Sequence, residues 1–201
     1  MVNLLSRAGA RVRNQEEVSA NLGANIRRLR LEKNLTLEAL ADLSGVSRAM
    51  ISKIERGSSM PTATVLGKLA TGLNIGLSRL VGGYHTRKPT LLTPFQQPVF
   101  RDPESGLERR SLSPSFPDRM VDFVVNTLPA KSSVAFPPHH QGVEEYLYVT
   151  SGKITVVVGE ERFEVEAGNS LFYASDQKHE FHNSEGQPAV FFIVIDENGT
   201  R

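Results

Sequence analysis

Residues 36–61, TLEALADLSGVSRAMISKIERGSSMP, decide the fold of the N-terminal part of this chain. Thr36 and Ser47 are residue types that cap helix N-termini well. Gly45 and Gly57 stand where two short helices would end, since glycine tolerates the left-handed conformation found there. Between these residues, apolar side chains recur at helical spacing. The stretch therefore predicts two short amphipathic helices joined by a tight turn.

Helical periodicity continues on both sides of this pair. Residues 22–33 predict a preceding helix, residues 62–73 a following one, and residues 77–80 a short fifth helix. Together they predict an all-α, five-helix domain over residues 19–81. The polar and basic residues 1–18 are predicted to form a flexible N-terminal arm.

The second helix of the central pair presents small polar and basic side chains on its outer side. Arginine and lysine can donate hydrogen bonds to guanine edges, and an alanine methyl can contact thymine. Hydroxyl and backbone N–H groups at helix N-termini can contact phosphate oxygens. The predicted partner is a double-stranded DNA operator, and the predicted DNA-binding residues are Thr36, Ser47, Arg48, Ala49, Ser52, Lys53 and Arg56.

Charge is divided unequally along the 201 residues. Residues 1–88 carry 14 Lys/Arg against 6 Asp/Glu, a net charge of +8, and residues 89–201 carry 9 against 16, a net charge of −7. A basic half suits a polyanion, and the acidic half indicates a second task. The absence of cysteine excludes disulfides and thiolate chemistry. Without an apolar run of membrane-spanning length or a signal sequence, a cytoplasmic protein is expected.

The pattern of the sequence changes from helical to strand-like after residue 81. Gly82, Gly83 and Pro89 break the helical pattern and predict a linker over residues 82–92. Beyond it, short runs rich in Val, Phe, Tyr and Ile alternate with glycine-containing turns, which is typical of an antiparallel barrel or jelly roll over residues 93–201. The predicted strands are 121–128, 146–150, 154–158, 162–165, 170–173 and 189–195.

Two histidine clusters lie in this C-terminal half, in residues 137–152 and 168–183. Imidazole and carboxylate groups on neighbouring strands of a small barrel can converge on one interior point, and such a set suits Zn, Fe, Mn, Ni or Cu. Strand alternation places His179 and Asn183 on one face and His182 on the other. His182 is therefore expected to be a surface or packing residue.

The helical segment resembles the XRE family, whose fold is that of the lambda repressor and Cro proteins. This resemblance implies a structural role for Glu55 and places Arg48, Ala49 and Lys53 against the bases. The residues that carry it are Ile26–Arg30, Thr36–Leu37, Leu40–Ala41, Gly45–Ser47, Ile51–Gly57, Pro61–Thr62 and Leu69–Ala70.

The two histidine clusters resemble the signature motifs of the cupin family, a jelly-roll barrel. Glu145 and Gly152 match the end of the first motif, and Gly168, His179 and Asn183 match the second. Ala174 and Asp176 stand where the family usually has proline and glycine.

The first cupin motif departs from the family pattern. It normally offers two histidines separated by one residue and then a glutamate, but here proline (Pro138 or Pro137) takes the first histidine place. The resemblance leaves three possible ligands for a divalent transition metal: His140, Glu145 and His179, with His139 as the alternative to His140. The same four residues define the predicted effector or metal pocket.

Both resemblances together imply a transcriptional regulator of two domains. The helical domain would read DNA, and the cupin-like barrel would bind a small-molecule effector, change operator binding and support a homodimer. The alternative is a cupin metalloenzyme, a dioxygenase or isomerase, joined to a DNA-binding domain. The incomplete ligand set favours effector sensing over catalysis, so no catalytic residue is predicted.

Overall fold

The computed structural model describes residues 22–81, 89–114 and 121–197. The predicted arm, residues 1–18, and residues 82–88 of the predicted linker lie outside these ranges. Residues 89–92 are described and have no regular secondary structure. None of the helices in the described ranges has the length and apolar character needed to cross a membrane.

Five helices form the N-terminal part of the described chain, as the sequence predicts. The first, α1, covers residues 22–32. The others are α2 (Leu37–Ser44), α3 (Arg48–Glu55), α4 (Ala63–Leu73) and α5 (Leu77–Val81).

Local chemistry explains where α2 and α3 begin and why the chain turns between them. The Thr36 hydroxyl accepts a hydrogen bond from the Ala39 N–H at 3.0 Å, and the Ser47 hydroxyl accepts one from the Met50 N–H at 3.3 Å. Gly45 ends α2 with φ of 64°, a conformation that costs other residues free energy. The predicted caps and turn are confirmed.

The helices pack around a core of fully buried leucine and isoleucine side chains, among them Ile26, Leu40, Ile51 and Ile54. Close approach of α1 to α3 depends on Gly23, because a Cβ there would lie 2.2 Å from the Ile54 carbonyl oxygen. This packing holds α3 with one face inward and leaves its other face in solvent.

The C-terminal part forms two antiparallel sheets. One sheet has six strands in the order β1-β2-β3-β10-β5-β8, and the other has four in the order β4-β9-β6-β7. This two-sheet arrangement is that of a jelly roll. The strands are β1 (Val99–Arg101), β2 (Glu108–Ser111), β3 (Val121–Leu128), β4 (Ser132–Phe136), β5 (Glu144–Ser151), β6 (Lys153–Val158), β7 (Glu161–Glu166), β8 (Ser170–Ala174), β9 (His179–Asn183) and β10 (Ala189–Asp196).

The six predicted strands are confirmed, five of them with ends that extend by one or two residues. The strands β1, β2, β4 and β9 are not among those six, because they have five residues or fewer and β2, with the sequence Glu-Arg-Arg-Ser, is polar throughout; only the alternation argument for His179, His182 and Asn183 treats β9 as a strand. In β2 the alternation of burial nevertheless turns Arg109 and Ser111 inward.

Helices α4 and α5 pack directly on the barrel. The Ala63 N–H, at the start of α4, donates to Asp102 Oδ1 at 2.7 Å, and the Ser78 N–H of α5 donates to Asp122 Oδ2 at 3.0 Å. The Thr64 hydroxyl donates to the carbonyl of β4 residue 135 at 2.8 Å. Three hydrogen bonds, two of them buried, therefore join the helical part to the barrel.

Candidate functional site

The outer face of α3 is available for contact with a partner. Arg48, Ala49, Lys53 and Arg56 are exposed and Ser52 is half-buried. Thr36 and Ser47 are also exposed, and each hydroxyl oxygen already accepts a capping bond from a backbone N–H. A hydroxyl that accepts in this way keeps its own proton to donate, which suits a phosphate oxygen.

Two of the basic side chains contact neighbouring side chains, and neither contact was predicted from the sequence. Arg48 forms an exposed ion pair with Glu38 of α2, with Nε and Oε1 2.5 Å apart. Arg56 donates to the Ser52 hydroxyl at 2.6 Å, one helical turn earlier. Both contacts are exposed, so exchange for a phosphate or a base costs little free energy.

A buried ion pair fixes the end of α3 against α1. Arg30 Nε and Nη2 donate to the two carboxylate oxygens of Glu55 at 2.7 and 2.9 Å, and Nη1 donates to the Leu35 carbonyl at 2.8 Å. The hydrogen bond to Glu55 is the main cause of the raised pKa of Arg30. This geometry gives Glu55 the structural contact that the XRE resemblance implies.

Inside the barrel, one carboxylate meets two imidazoles. Glu145 Oε1 lies 3.2 Å from His139 Nε2 and 3.5 Å from His179 Nε2. His179 is 1% exposed and Glu145 is 2% exposed, while His139 is partly buried. The three residues, here called the triad, come from β5, β9 and the loop that follows β4.

Neighbouring groups fix the orientation of the triad. Tyr173 donates its hydroxyl to Glu145 Oε2 at 2.5 Å, which leaves Oε1 facing the imidazoles. His179 Nδ1 lies 3.2 Å from the carbonyl of Gln177. A bond of this kind from Nδ1–H to a backbone carbonyl leaves Nε2 free as a ligand, as in most metal-bound histidines. No motif in the sequence predicts these contacts of Tyr173 and Gln177.

The pKa values of the triad follow from burial and mutual charge. Burial alone would raise the pKa of Glu145, but the charge of His179 and the hydrogen bonds from His139 and Tyr173 outweigh it and lower the pKa to about 2. Burial lowers the pKa of His179. For His139, burial is the largest influence and acts in the same direction, but the hydrogen bond to Glu145 and the charges of Glu145 and Glu197 together outweigh it and raise the pKa.

The triad fits the donor set of a divalent transition metal. Its three ligand atoms lie within 4.8 Å of one another. Ligands about 2.1 Å from a metal are roughly 3.4 Å apart in a tetrahedral site, close to the two N–O separations above. Two imidazoles and a carboxylate on one side of an ion would leave positions open on the other.

His140 and His182 lie outside the triad. The ring of His140 points away from Glu145, and its Nε2 lies 3.2 Å from the Thr71 carbonyl at the end of α4. Of the two histidines that the sequence left open, the structure groups His139, and not His140, with Glu145 and His179. His182 contacts Glu180 on the outer face of β9, on the side that strand alternation predicted.

The loop that carries His139 also contacts α4. Gly67 of α4 packs against Pro137 so closely that a Cβ at residue 67 would lie 2.8 Å from the proline Cδ. With His140 against Thr71, the residues on both sides of His139 contact the helical domain. The same loop thus contributes His139 to the candidate pocket and contacts α4.

Comparison with known proteins identifies the families of the two parts. The helix-turn-helix family matches residues 26–80, and the cupin domain family matches residues 124–195. The HTH-type transcriptional regulator y4dJ of Sinorhizobium fredii, itself uncharacterized, is 40% identical over 74 residues, which cover 88% of its length. The chain belongs to the XRE-type helix-turn-helix transcriptional regulators. This regulator carries a cupin domain as its C-terminal part.

Full-length relatives share both parts of the regulator. The HTH-type transcriptional regulator SutR of Escherichia coli is 28% identical over 180 residues, 90% of this chain and 97% of SutR. The crystal structure of an HTH_3 family transcriptional regulator from Vibrio cholerae is 29% identical, with a TM-score of 0.76 over 90% of this chain and 98% of that chain. The predicted architecture, helical domain first and cupin barrel second, is confirmed.

Proposed function

We propose that this regulator reads an operator through the outer face of α3 and that a small-molecule effector, bound at the triad, changes its affinity for that operator. One observation carries the proposal. The loop residue His139 completes the triad while its neighbour His140 contacts α4. An effector that displaces His139 would therefore also displace the loop against α4, a helix of the DNA-binding domain.

The path from the loop to α3 runs through packed helices. Gly67 and Thr71 of α4 contact the loop, and Gly72 packs on α2, where an added Cβ would lie 2.8 Å from Ser44 Cβ. The helix α2 contacts α3 through the Glu38–Arg48 pair. Because close-packed elements shift as units, a displacement at the loop reaches the recognition helix.

The DNA-binding half of the proposal is tested with Arg48→Ala/Lys53→Ala. An operator is first selected from random DNA with the wild-type protein, and Kd values are then measured at fixed salt concentration. Each lost base contact costs about 1–3 kcal/mol, so the loss of two should lower affinity at least about 30-fold. The matched control, Arg162→Ala/Lys178→Ala, removes the same charge from exposed barrel residues and should bind nearly as wild type. Equal losses in both variants would contradict the assignment of α3.

The effector half is tested with three single substitutions. A metabolite library is screened by thermal shift, and each hit is added to the operator-binding assay. Glu145→Ala and His179→Ala should abolish the response and keep basal operator binding, whereas His182→Ala should respond as wild type because that ring faces outward. A response that survives in both triad variants would place the effector elsewhere.

We also propose that the regulator is a homodimer joined through the outer face of the six-stranded sheet. Phe123, Tyr146, Tyr148 and Phe172 are exposed on this face. Phe123 and Tyr146 flank the same β10 residue, and Tyr146 pairs with Phe172, so they form one row across four strands. A contiguous aromatic surface of this kind typically marks an interface. A second copy is the fitting occupant because operators of this class are read by two helices related by two-fold symmetry.

Sedimentation velocity tests the dimer. Phe172→Asp should shift the wild-type dimer towards monomer and weaken operator binding. Leu91→Asp is the matched control, since Leu91 is 85% exposed and lies outside this face. A monomeric wild-type protein, or an unchanged dimer in Phe172→Asp, would contradict the proposed interface.

The alternative function is a metal-dependent enzyme, and the composition of the triad is the observation that supports this alternative. Two histidines and one carboxylate with open positions form the ligand set of non-haem iron oxygenases. Metal analysis of protein purified without added ions, with oxygen-consumption assays on the ligands found by thermal shift, separates the two functions. A stoichiometric redox metal with turnover would establish the enzyme, and binding without turnover would support the sensor.

A further inference from the structure

Arg109 of β2 is a buried guanidinium with unused donors. The residue is 5% exposed, and within the described residues neither Nε nor Nη2 has a hydrogen-bond partner. Arginine is always charged, and a buried charge that lacks hydrogen bonds is costly. A hydrogen-bond acceptor inside the barrel would satisfy these N–H donors.

A second buried residue beside Arg109 also has polar atoms without hydrogen-bond partners. The register of β2 and β3 pairs Arg109 with Asn126, and both side chains are buried on the inner face of the sheet. Asn126 is 2% exposed, and neither Nδ2 nor Oδ1 has a partner in the described part of the chain. Two adjacent buried polar groups without partners are rare in native proteins, where more than about 90% of such groups are satisfied.

The two unused arginine nitrogens define one edge of the guanidinium. The N–H bonds of Nε and Nη2 are parallel, and this edge binds two oxygens of a carboxylate side by side. Single acceptors such as a carbonyl or a hydroxyl would use only one of these donors. The form of the unused edge therefore selects a ligand with two oxygens on one atom.

Arg109 and the triad face the same interior. The pKa of Arg109 is lowered by burial, while the charges of Asp122 and then Glu145 act to raise it. Arg109 on β2 and Glu145 on β5 are buried residues of the same six-stranded sheet, on the face where burial alternates inward. A ligand held by Arg109 thus lies within electrostatic reach of the triad.

We propose that Arg109, with Asn126 beside it, binds the carboxylate of the effector, so that the effector is a small organic carboxylate whose other end meets the triad. This inference rests on the proposed function, since it names the chemical class of the effector for that site.

The test titrates acetate, lactate and succinate, each beside its uncharged amide, into the full-length protein at fixed ionic strength, with and without Zn²⁺. Thermal shift and calorimetry are measured on wild type, Arg109→Met and Arg109→Lys. We expect at least one carboxylate to bind wild type, its amide to bind at least about 10-fold more weakly, and Arg109→Met to lose a similar factor. Arg109→Lys should recover only part, because an ammonium cannot form the two-donor edge. Operator binding without ligand checks that each variant is folded, and Asn126→Leu gives a second, uncharged test of the same site.

The outcomes separate this inference from the function on which it rests. Equal binding of carboxylate and amide, or equal carboxylate binding by wild type and Arg109→Met, overturns the carboxylate site and leaves effector sensing intact. Absence of binding by every carboxylate also overturns it. The proposed function fails by a different result, an effector response that survives Glu145→Ala and His179→Ala.

Discussion

Arg30→Met removes one half of the buried ion pair that holds α3 against α1. It deletes three hydrogen bonds, two to Glu55 and one to the Leu35 carbonyl, and leaves a carboxylate that is 7% exposed without its cation. Breaking a buried pair in this way costs about 3–5 kcal/mol. For a chain of this size such a loss lowers Tm on the order of 10 °C.

Urea unfolding followed by circular dichroism at the helix band measures this cost. In the double variant Arg30→Met/Glu55→Leu no buried charge is left, so most of the stability should return, to within roughly 1–2 kcal/mol of wild type. The control is Arg28→Met, which breaks the exposed Arg28–Glu32 pair and a hydrogen bond to Asn25 and should cost about 1 kcal/mol. The reasoning is refuted if Arg30→Met costs no more than Arg28→Met, or if the double variant is as unstable as the single one.

Three further predictions follow from contacts at the domain junction and in the barrel. Gly67→Ala should lower Tm despite the higher helix propensity of alanine, because its Cβ would lie 2.8 Å from the rigid Pro137 ring, and it should weaken the effector response in the operator-binding assay. Burial and then the charge of Asp122 raise the pKa of Glu197 to about 7. The free energy of unfolding should therefore fall by roughly 3 kcal/mol as pH rises from about 4.5 to 7, because the protonated carboxyl is favoured in the folded state. Glu197→Gln should reduce this dependence of stability on pH in unfolding titrations. Asn183→Leu should cost about 2–4 kcal/mol in chemical denaturation, because the Asn183 amide donates to three carbonyls and accepts from the Glu185 N–H, and a smaller loss would mean that these bonds are replaced.

The helical domain could be predicted from the sequence because its signals are local. Thr36, Ser47 and Gly45 carry their roles in their own chemistry, and periodicity within a dozen residues identifies each helix. The ion pair of Arg48 with Glu38 was not predicted, since it depends on how α2 and α3 cross rather than on either helix alone.

The candidate pocket could be predicted only in part. Glu145 and His179 lie on strands, where alternation defines a face, and both are buried as that pattern requires. His139 and His140 lie in a loop, which has no periodicity, so the sequence could not decide between them. Arg109 was not identified because an arginine in a short polar segment has the pattern of a surface residue. Its burial depends on the pairing of β2 with β3, a separate strand further along the chain.

The loop of Pro137, His139 and His140 has a consequence for how the regulator would be studied. If an effector at the triad weakens operator binding by some factor, thermodynamic linkage requires the operator to weaken effector binding by the same factor. DNA is then itself a ligand that tunes the barrel. Effector affinities measured on the free protein and on the operator complex should differ by that factor, and inside a cell only the second value describes the bound regulator.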